Sequence, residues 1–266
     1  MQDLKVTLIQ TPLYWQDKQA NISMFEEKIW EIEEETDLIV LPEMFNTGFS
    51  MEAEKMAEPM NLHTFKWMRQ MASQKKAVVT GSYIVNDNGN YFNRLIWMQP
   101  DGDYFTYDKR HLFRMANEDE HYSPGQKDLI VELNGWKIKP LVCYDLRFPV
   151  WSRNRSNDKN ELEYDLILFV ANWPAVRVNA WDTLLQARAI ENVSYCLGVN
   201  RIGDDGKGIA HNGHSGIYGP KGNALYFADD REEIKTVTLS GEELLRFREK
   251  FPAQLDADSF EIKKSI

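Results

Sequence analysis

The 266-residue sequence predicts an α/β protein built from mixed sheets with helices on the outside. Three observations carry that reading. Early helical patterns alternate with strands, the middle is rich in hairpin turns, and the apolar runs 38–41 and 166–170 lack alternation, so both of their faces need cover. With 43% hydrophobic and 12% aromatic residues, the chain has ample material for a core. No repeat, low-complexity tract or Pro/Gly/Ser linker divides it, and residues 1–266 read as a single domain.

Residues 6–10 alternate as a strand, and they lack the basic-then-apolar order of a secretory signal. Asn21 stands where a cap would open a helix with Ile22, Phe25, Ile29 and Ile32 on one face. The strand 38–41 ends at Pro42-Glu43. A helix over 62–73 leads to a strand at 77–85, and Asp87-Asn88-Gly89 turns the chain into its partner at 91–98. Pro100-Asp101-Gly102 delivers a strand that ends near Tyr107, and Asn134-Gly135 joins two more, the second at 136–143. A strand at 166–170, a helix at about 181–192 and strands at 195–200 and 215–218 follow. Gly219-Pro220-Lys221-Gly222 is a turn, and Ser240 with Glu243 reads as a capping box opening the last helix.

The charge balance, 31 Lys+Arg against 41 Asp+Glu, gives a net charge of −10 and excludes a phosphate-backbone binder. No apolar run approaches the ~18 residues of a membrane span. Two cysteines, Cys143 and Cys196, are too few for a disulfide framework and lack the spacing of a zinc site, which suits a reducing cytoplasm. No metal-ligand spacing, phosphate loop or dinucleotide fingerprint occurs, so neither metal nor cofactor is expected.

The chemistry is sought at strand ends, where α/β proteins place their sites. An apolar strand delivers Cys143 directly into a polar segment; taken alone it reads first as an inert packing thiol, as does Cys196 within its apolar strand. A nucleophilic cysteine needs a base and an oxyanion donor. Glu43 follows one buried strand and Lys109 follows another, though singly each is an ordinary surface charge. Together Glu43, Lys109 and Cys143 occur in order at three strand ends.

In that order, Leu41-Pro-Glu-Met-Phe45, Tyr107-Asp-Lys-Arg-His-Leu-Phe113 and Leu141-Val-Cys-Tyr-Asp-Leu-Arg-Phe-Pro149 resemble the three signature blocks of the nitrilase, or carbon–nitrogen hydrolase, superfamily. The resemblance extends from the first strand to Tyr226. It implies a four-layer α-β-β-α sandwich and a homodimer or larger assembly. It makes Glu43 the general base, Lys109 the oxyanion stabiliser and Cys143 the nucleophile, with the Tyr144 N–H completing the oxyanion hole. A second glutamate precedes a Ser-Pro-Gly turn in the family; Glu118 matches the usual offset from Gly125, with Glu120 as fallback. Val170-Ala-Asn-Trp-Pro174, Gln186-Ala-Arg-Ala-Ile-Glu-Asn192 and Asn200-Arg-Ile-Gly-Asp-Asp-Gly-Lys-Gly208 are similar to the omega-amidase branch. That branch deamidates 2-oxoglutaramate and 2-oxosuccinamate. Such substrates carry a carboxylate, for which Arg201 and Arg147 are the candidate cations, and Tyr144 and Trp173 the candidate walls. His214 departs from an acidic residue frequent before Ser215 in the family. Competing readings are a nitrilase or other small-amide or carbamoyl hydrolase, a silent binding protein on this fold, and a Cys–His enzyme using His111 or His121.

Overall fold

A computed structural model describes residues 1–157 and 159–263. Two sheets face each other. The first, in spatial order, comprises Glu233–Leu239, Leu4–Gln10, Leu38–Val40, Val78–Asp87, Asn90–Met98 and Tyr104–Asp108, with the short Glu58–Pro59 strand also paired to Val78–Asp87. Its centre is parallel and its far side is the expected meander of hairpins. The second comprises Ala224–Phe227, Gly216–Tyr218, Tyr195–Asn200, Leu166–Ala171, Trp136–Val142 and Val131–Leu133. Its three central strands run parallel and antiparallel partners flank them.

Alternation along each strand decides which side chains meet which layer. Val6, Leu8, Val40, Leu95 and Trp97 of the first sheet share one core with Ile138, Leu168, Val170 and Leu197 of the second. Ile9, Ile39 and Val79 point the other way, onto Phe25 and Ile29 of the helix Lys18–Trp30 and Met68 and Met71 of the helix His63–Lys75. Trp181, Leu185 and Ala189 of the helix Val178–Asn192, with Leu244 of Gly241–Lys250, cover the second sheet. These are the four layers α-β-β-α. Gly198 permits the last contact, because a Cβ there would stand 2.6 Å from both Leu185 and Trp181.

Two local expectations are corrected, and one strand was not anticipated. Asp17, not Asn21, caps the first helix, accepting the Ala20 N–H at 3.0 Å. Asn21 lies inside the helix, buried, and its amide donates to the carbonyls of Tyr14 and Asn46, pinning the loop that carries Glu43. The strand 136–143 ends one residue early, at Val142, because Cys143 takes a left-handed φ of +44° and opens the 3-10 turn Cys143–Arg147. The edge strand Glu233–Leu239 had no apolar alternation to announce it; Lys235, Thr236 and Thr238 pair backbone with Leu4–Gln10 instead. Among the described residues, no helix is long and apolar enough to cross a membrane.

Candidate active site

Three strand ends converge on one buried cluster. Glu43 follows Leu38–Val40, Lys109 follows Tyr104–Asp108 and Cys143 follows Trp136–Val142; Glu43 and Lys109 are essentially without solvent contact, and Cys143 is buried. Lys109 Nζ lies 2.9 Å from Glu43 Oε1 and 2.9 Å from Glu118 Oε2. Glu118 is buried and also accepts the Phe113 N–H at 2.6 Å, whereas Glu120 is exposed, so Glu118 is the glutamate that joins the cluster. The Ser123-Pro124-Gly125 turn braces this arm. The Gly125 N–H donates to the Lys109 carbonyl at 2.9 Å, and a Cβ on Gly125 would fall 1.9 Å from the Asp108 carbonyl oxygen.

Glu43 is held from every side. Oε1 accepts from Asn93 at 2.8 Å and from Lys109, and Oε2 accepts the Asn172 N–H at 2.9 Å; the Asn172 side chain returns a bond to the Glu43 carbonyl. Two carboxylate oxygens offer about four acceptor sites, so one is left for a thiol proton. Burial pushes the Cys143 thiol well above the ordinary cysteine range, the Glu43 charge and hydrogen bond push it further, and Lys109 and the Asn172 N–H pull the other way. Burial alone would lower the Lys109 ammonium, but the carboxylates of Glu118 and Glu43 outweigh it and hold its pKa above the usual lysine value. Burial raises Glu118, against the pull of Lys109. The Cys143 thiol is therefore held protonated, hydrogen-bonded to Glu43 and beside the fixed ammonium of Lys109.

One further carboxylate organises the turn. Asp145, fully buried, accepts the Val142 N–H at 3.1 Å, the Tyr107 hydroxyl at 2.8 Å and the His111 N–H at 3.0 Å, and lies 2.7 Å from His111 Nδ1. His111 also stacks on Phe148, with ring centres 3.7 Å apart. Neither His111 nor the exposed His121 is among the residues lining the cavity that holds Cys143, so neither is placed to pair with it.

That cavity is partly open to solvent and mostly apolar in its lining, with a few convergent polar groups. Glu43, Lys109, Cys143, Tyr144, Arg147 and Trp173 all line it. Arg201 does not. Its buried guanidinium folds back on the carbonyls of Ile202 and Asp204, at 3.1 and 2.9 Å, and burial lowers its pKa to about 10; it stiffens the hairpin Ile202–Asp204/Ala210–Asn212. Asn93, Asn172 and Asp145 went unassigned from sequence, although Asn172 and Asp145 stand inside the quoted blocks. For Asp145 the available signal was its place two residues after Cys143, and for Asn172 its place directly after an apolar strand; Asn93, inside a strand, had none.

Comparison with known proteins follows this geometry closely. Residues 5–248 match the family model of carbon-nitrogen hydrolases. The chain belongs to that family. The match runs past Tyr226, where the sequence blocks stop, and takes in the edge strand and most of the last helix. A relative from Yersinia enterocolitica, "Omega-amidase YafV", is 46% identical over 98% of this chain and 99% of its own length. A "2-oxoglutaramate amidase" of Bacillus subtilis is 30% identical over 93% of this chain and 95% of its own. The crystal structure of XC1258 from Xanthomonas campestris, a superfamily member with an arsenic adduct in its active site, superposes with a TM-score of 0.97 at 43% identity, covering 99% of this chain and all of that one.

Proposed function

We propose that the protein releases ammonia from the terminal amide of small 2-oxo-dicarboxylic acid monoamides, such as 2-oxoglutaramate and 2-oxosuccinamate. The observation that carries the reading is the enclosed Glu43–Lys109–Glu118 cluster sharing a cavity with Cys143. Three buried charges are costly to keep for stability alone. The names of the relatives from Yersinia and Bacillus supply the substrate class.

In the proposed reaction Glu43 takes the thiol proton as the Cys143 sulfur attacks the amide carbon. The raised thiol pKa makes this base necessary, because little thiolate pre-exists. The ammonium of Lys109 is held by Glu43 Oε1 and by both oxygens of Glu118; with the two Glu118 oxygens sharing one N–H, the third N–H meets the oxyanion beside the Tyr144 N–H. Collapse expels ammonia, which takes the proton from Glu43 and leaves a Cys143 thioester. Water then attacks the thioester carbon, Glu43 removes its proton, and the product carboxylate departs with the thiol restored. Glu118 orients Lys109. Tyr144 and Trp173 form walls, and Arg147 faces the substrate. The proposal includes a homodimer or larger assembly, supported by the exposed apolar side chains of Val150, Val176 and Ile190 on or beside the outer helices. It also includes a cytoplasmic location, in keeping with two free thiols.

Ammonia release from 2-oxoglutaramate, succinamate and an aliphatic nitrile, with intact-mass detection of a transient adduct on Cys143, tests the reading. Fast turnover of the keto-amide with the adduct is the expected result. Turnover of the nitrile alone, or of none of the three, overturns it.

A further inference from the structure

The cavity contains two arginines that no acid answers. Elsewhere in this acidic chain several shielded arginines are paired with acids, Arg94 with Asp87 and Asp108, Arg188 with Glu191 and Arg248 with Asp165, while the buried Arg201 bonds backbone carbonyls. Arg147 and Arg177 both line the cavity, both are half-buried, and among the described residues neither guanidinium has a carboxylate partner. One tryptophan positions both. The Arg147 guanidinium lies 4.9 Å over the Trp173 ring, and the indole N–H of Trp173 donates to the Arg177 carbonyl at 2.9 Å. Arg177 in turn lies 5.2 Å over the ring of Phe113, which packs edge-on against Tyr144.

The other charges of the cavity differ from these two in their surroundings. Lys109 is held by Glu43 and Glu118, and Lys207 is exposed at the hairpin tip. Burial pushes His211 down to about 4, with the Arg201 charge adding to the effect, so it is neutral at pH 7. Asp205, the acid on that wall, accepts the N–H groups of Lys207 and Ile209 at 2.8 and 2.9 Å. The register brings the two arginines together: Val142, just before Cys143, pairs with Val170, just before the segment that leads to Arg177.

We propose that Arg147 and Arg177 form a seat for a carboxylate at the end of the substrate remote from the scissile amide, with Arg177 as a specificity-determining residue. The proposal rests on the amidase reading of the same site. A guanidinium presents a planar fork that matches a carboxylate, and an aromatic platform limits the conformations it must give up on binding. The seat accepts aliphatic acids with an amide at the other end and discriminates against amides that end in a methyl group.

Two measurements test this, and they separate its failure from that of the reading beneath it. The first is the ratio of kcat/KM for succinamate to that for butanamide in the wild type, Arg177→Gln and Arg177→Lys. The ratio falls at least about tenfold in Arg177→Gln, mainly through KM for the anionic amide, and recovers partly in Arg177→Lys. The second needs no turnover: glutarate is expected to slow iodoacetamide labelling of Cys143 in the wild type, with much weaker protection in Arg177→Gln. An unchanged ratio in an active enzyme overturns the seat and leaves the amidase reading intact. Arg177-dependent protection in a protein that hydrolyses neither amide supports the seat and removes the reaction. Equal protection in both proteins, or none in the wild type, overturns the seat.

Discussion

Cys143 and Cys196 belong to the same half of the sandwich, both are buried, and burial pushes both thiols above the ordinary cysteine range. Their surroundings then diverge. Cys196 lies mid-strand, in register with Ile167 on one side and Tyr218 on the other. Cys143 lies one step beyond a strand, in a left-handed conformation, on a cavity it shares with Glu43 and Lys109. Burial therefore does not distinguish the two cysteines, and neither does the direction of the pKa shift. What differs is a hydrogen-bonded carboxylate with one acceptor position to spare, at a place where the backbone has left the ladder.

The sharpest way to break the comparison is to remove each sulfur. Cys143→Ala should lower turnover by at least about 10³-fold while the protein stays folded, whereas Cys196→Ala should keep its rate and lose roughly 1 kcal/mol of stability. Comparable rates in the two variants would defeat the assignment. Glu43→Gln keeps the shape and removes the base, and should cost about 10²–10⁴-fold in both acylation and thioester hydrolysis, read by pre-steady-state adduct mass. A smaller effect is expected in labelling: a neutral thiol reagent should modify Cys143 at least about tenfold faster than Cys196, measured by peptide mass spectrometry. With no effect expected on turnover, Gly198→Ala should destabilise by about 1–3 kcal/mol, followed by thermal unfolding, because its Cβ would enter the Trp181 and Leu185 side chains next to Cys196. That variant should leave the Cys143 labelling rate where it was.

The alternating and uniformly apolar strands were legible because period and burial coincide in them, and the hairpins because Asn88-Gly89 and Asn134-Gly135 adopt the positive φ such turns demand. Glu43, Lys109 and Cys143 were legible as residue types at strand ends. The edge strand Glu233–Leu239 was not, since an edge with polar side chains has no hydrophobic signature. Arg201 shows a different limit. A sequence marks an arginine near a cavity wall, but whether its guanidinium turns outward or back onto the carbonyls of its own hairpin depends on three-dimensional closure. Arg177 is the converse, an unremarked cation that the Ala175–Arg177 turn carries into the cavity. Asn21 looked like a cap because asparagine caps well; Asp17, four residues earlier, had the extended backbone and the free N–H to accept.

Asp145 ties the arm that carries Lys109 to the turn that carries Cys143, through Tyr107, the His111 N–H and the Val142 N–H. Local opening of such a structure should be cooperative, because neither segment can leave without stranding a buried carboxylate. The amide protons of His111 and Val142, 31 residues apart in sequence, should then exchange with solvent deuterium as one unit, and Cys143 and Lys109 would lose and regain their places together.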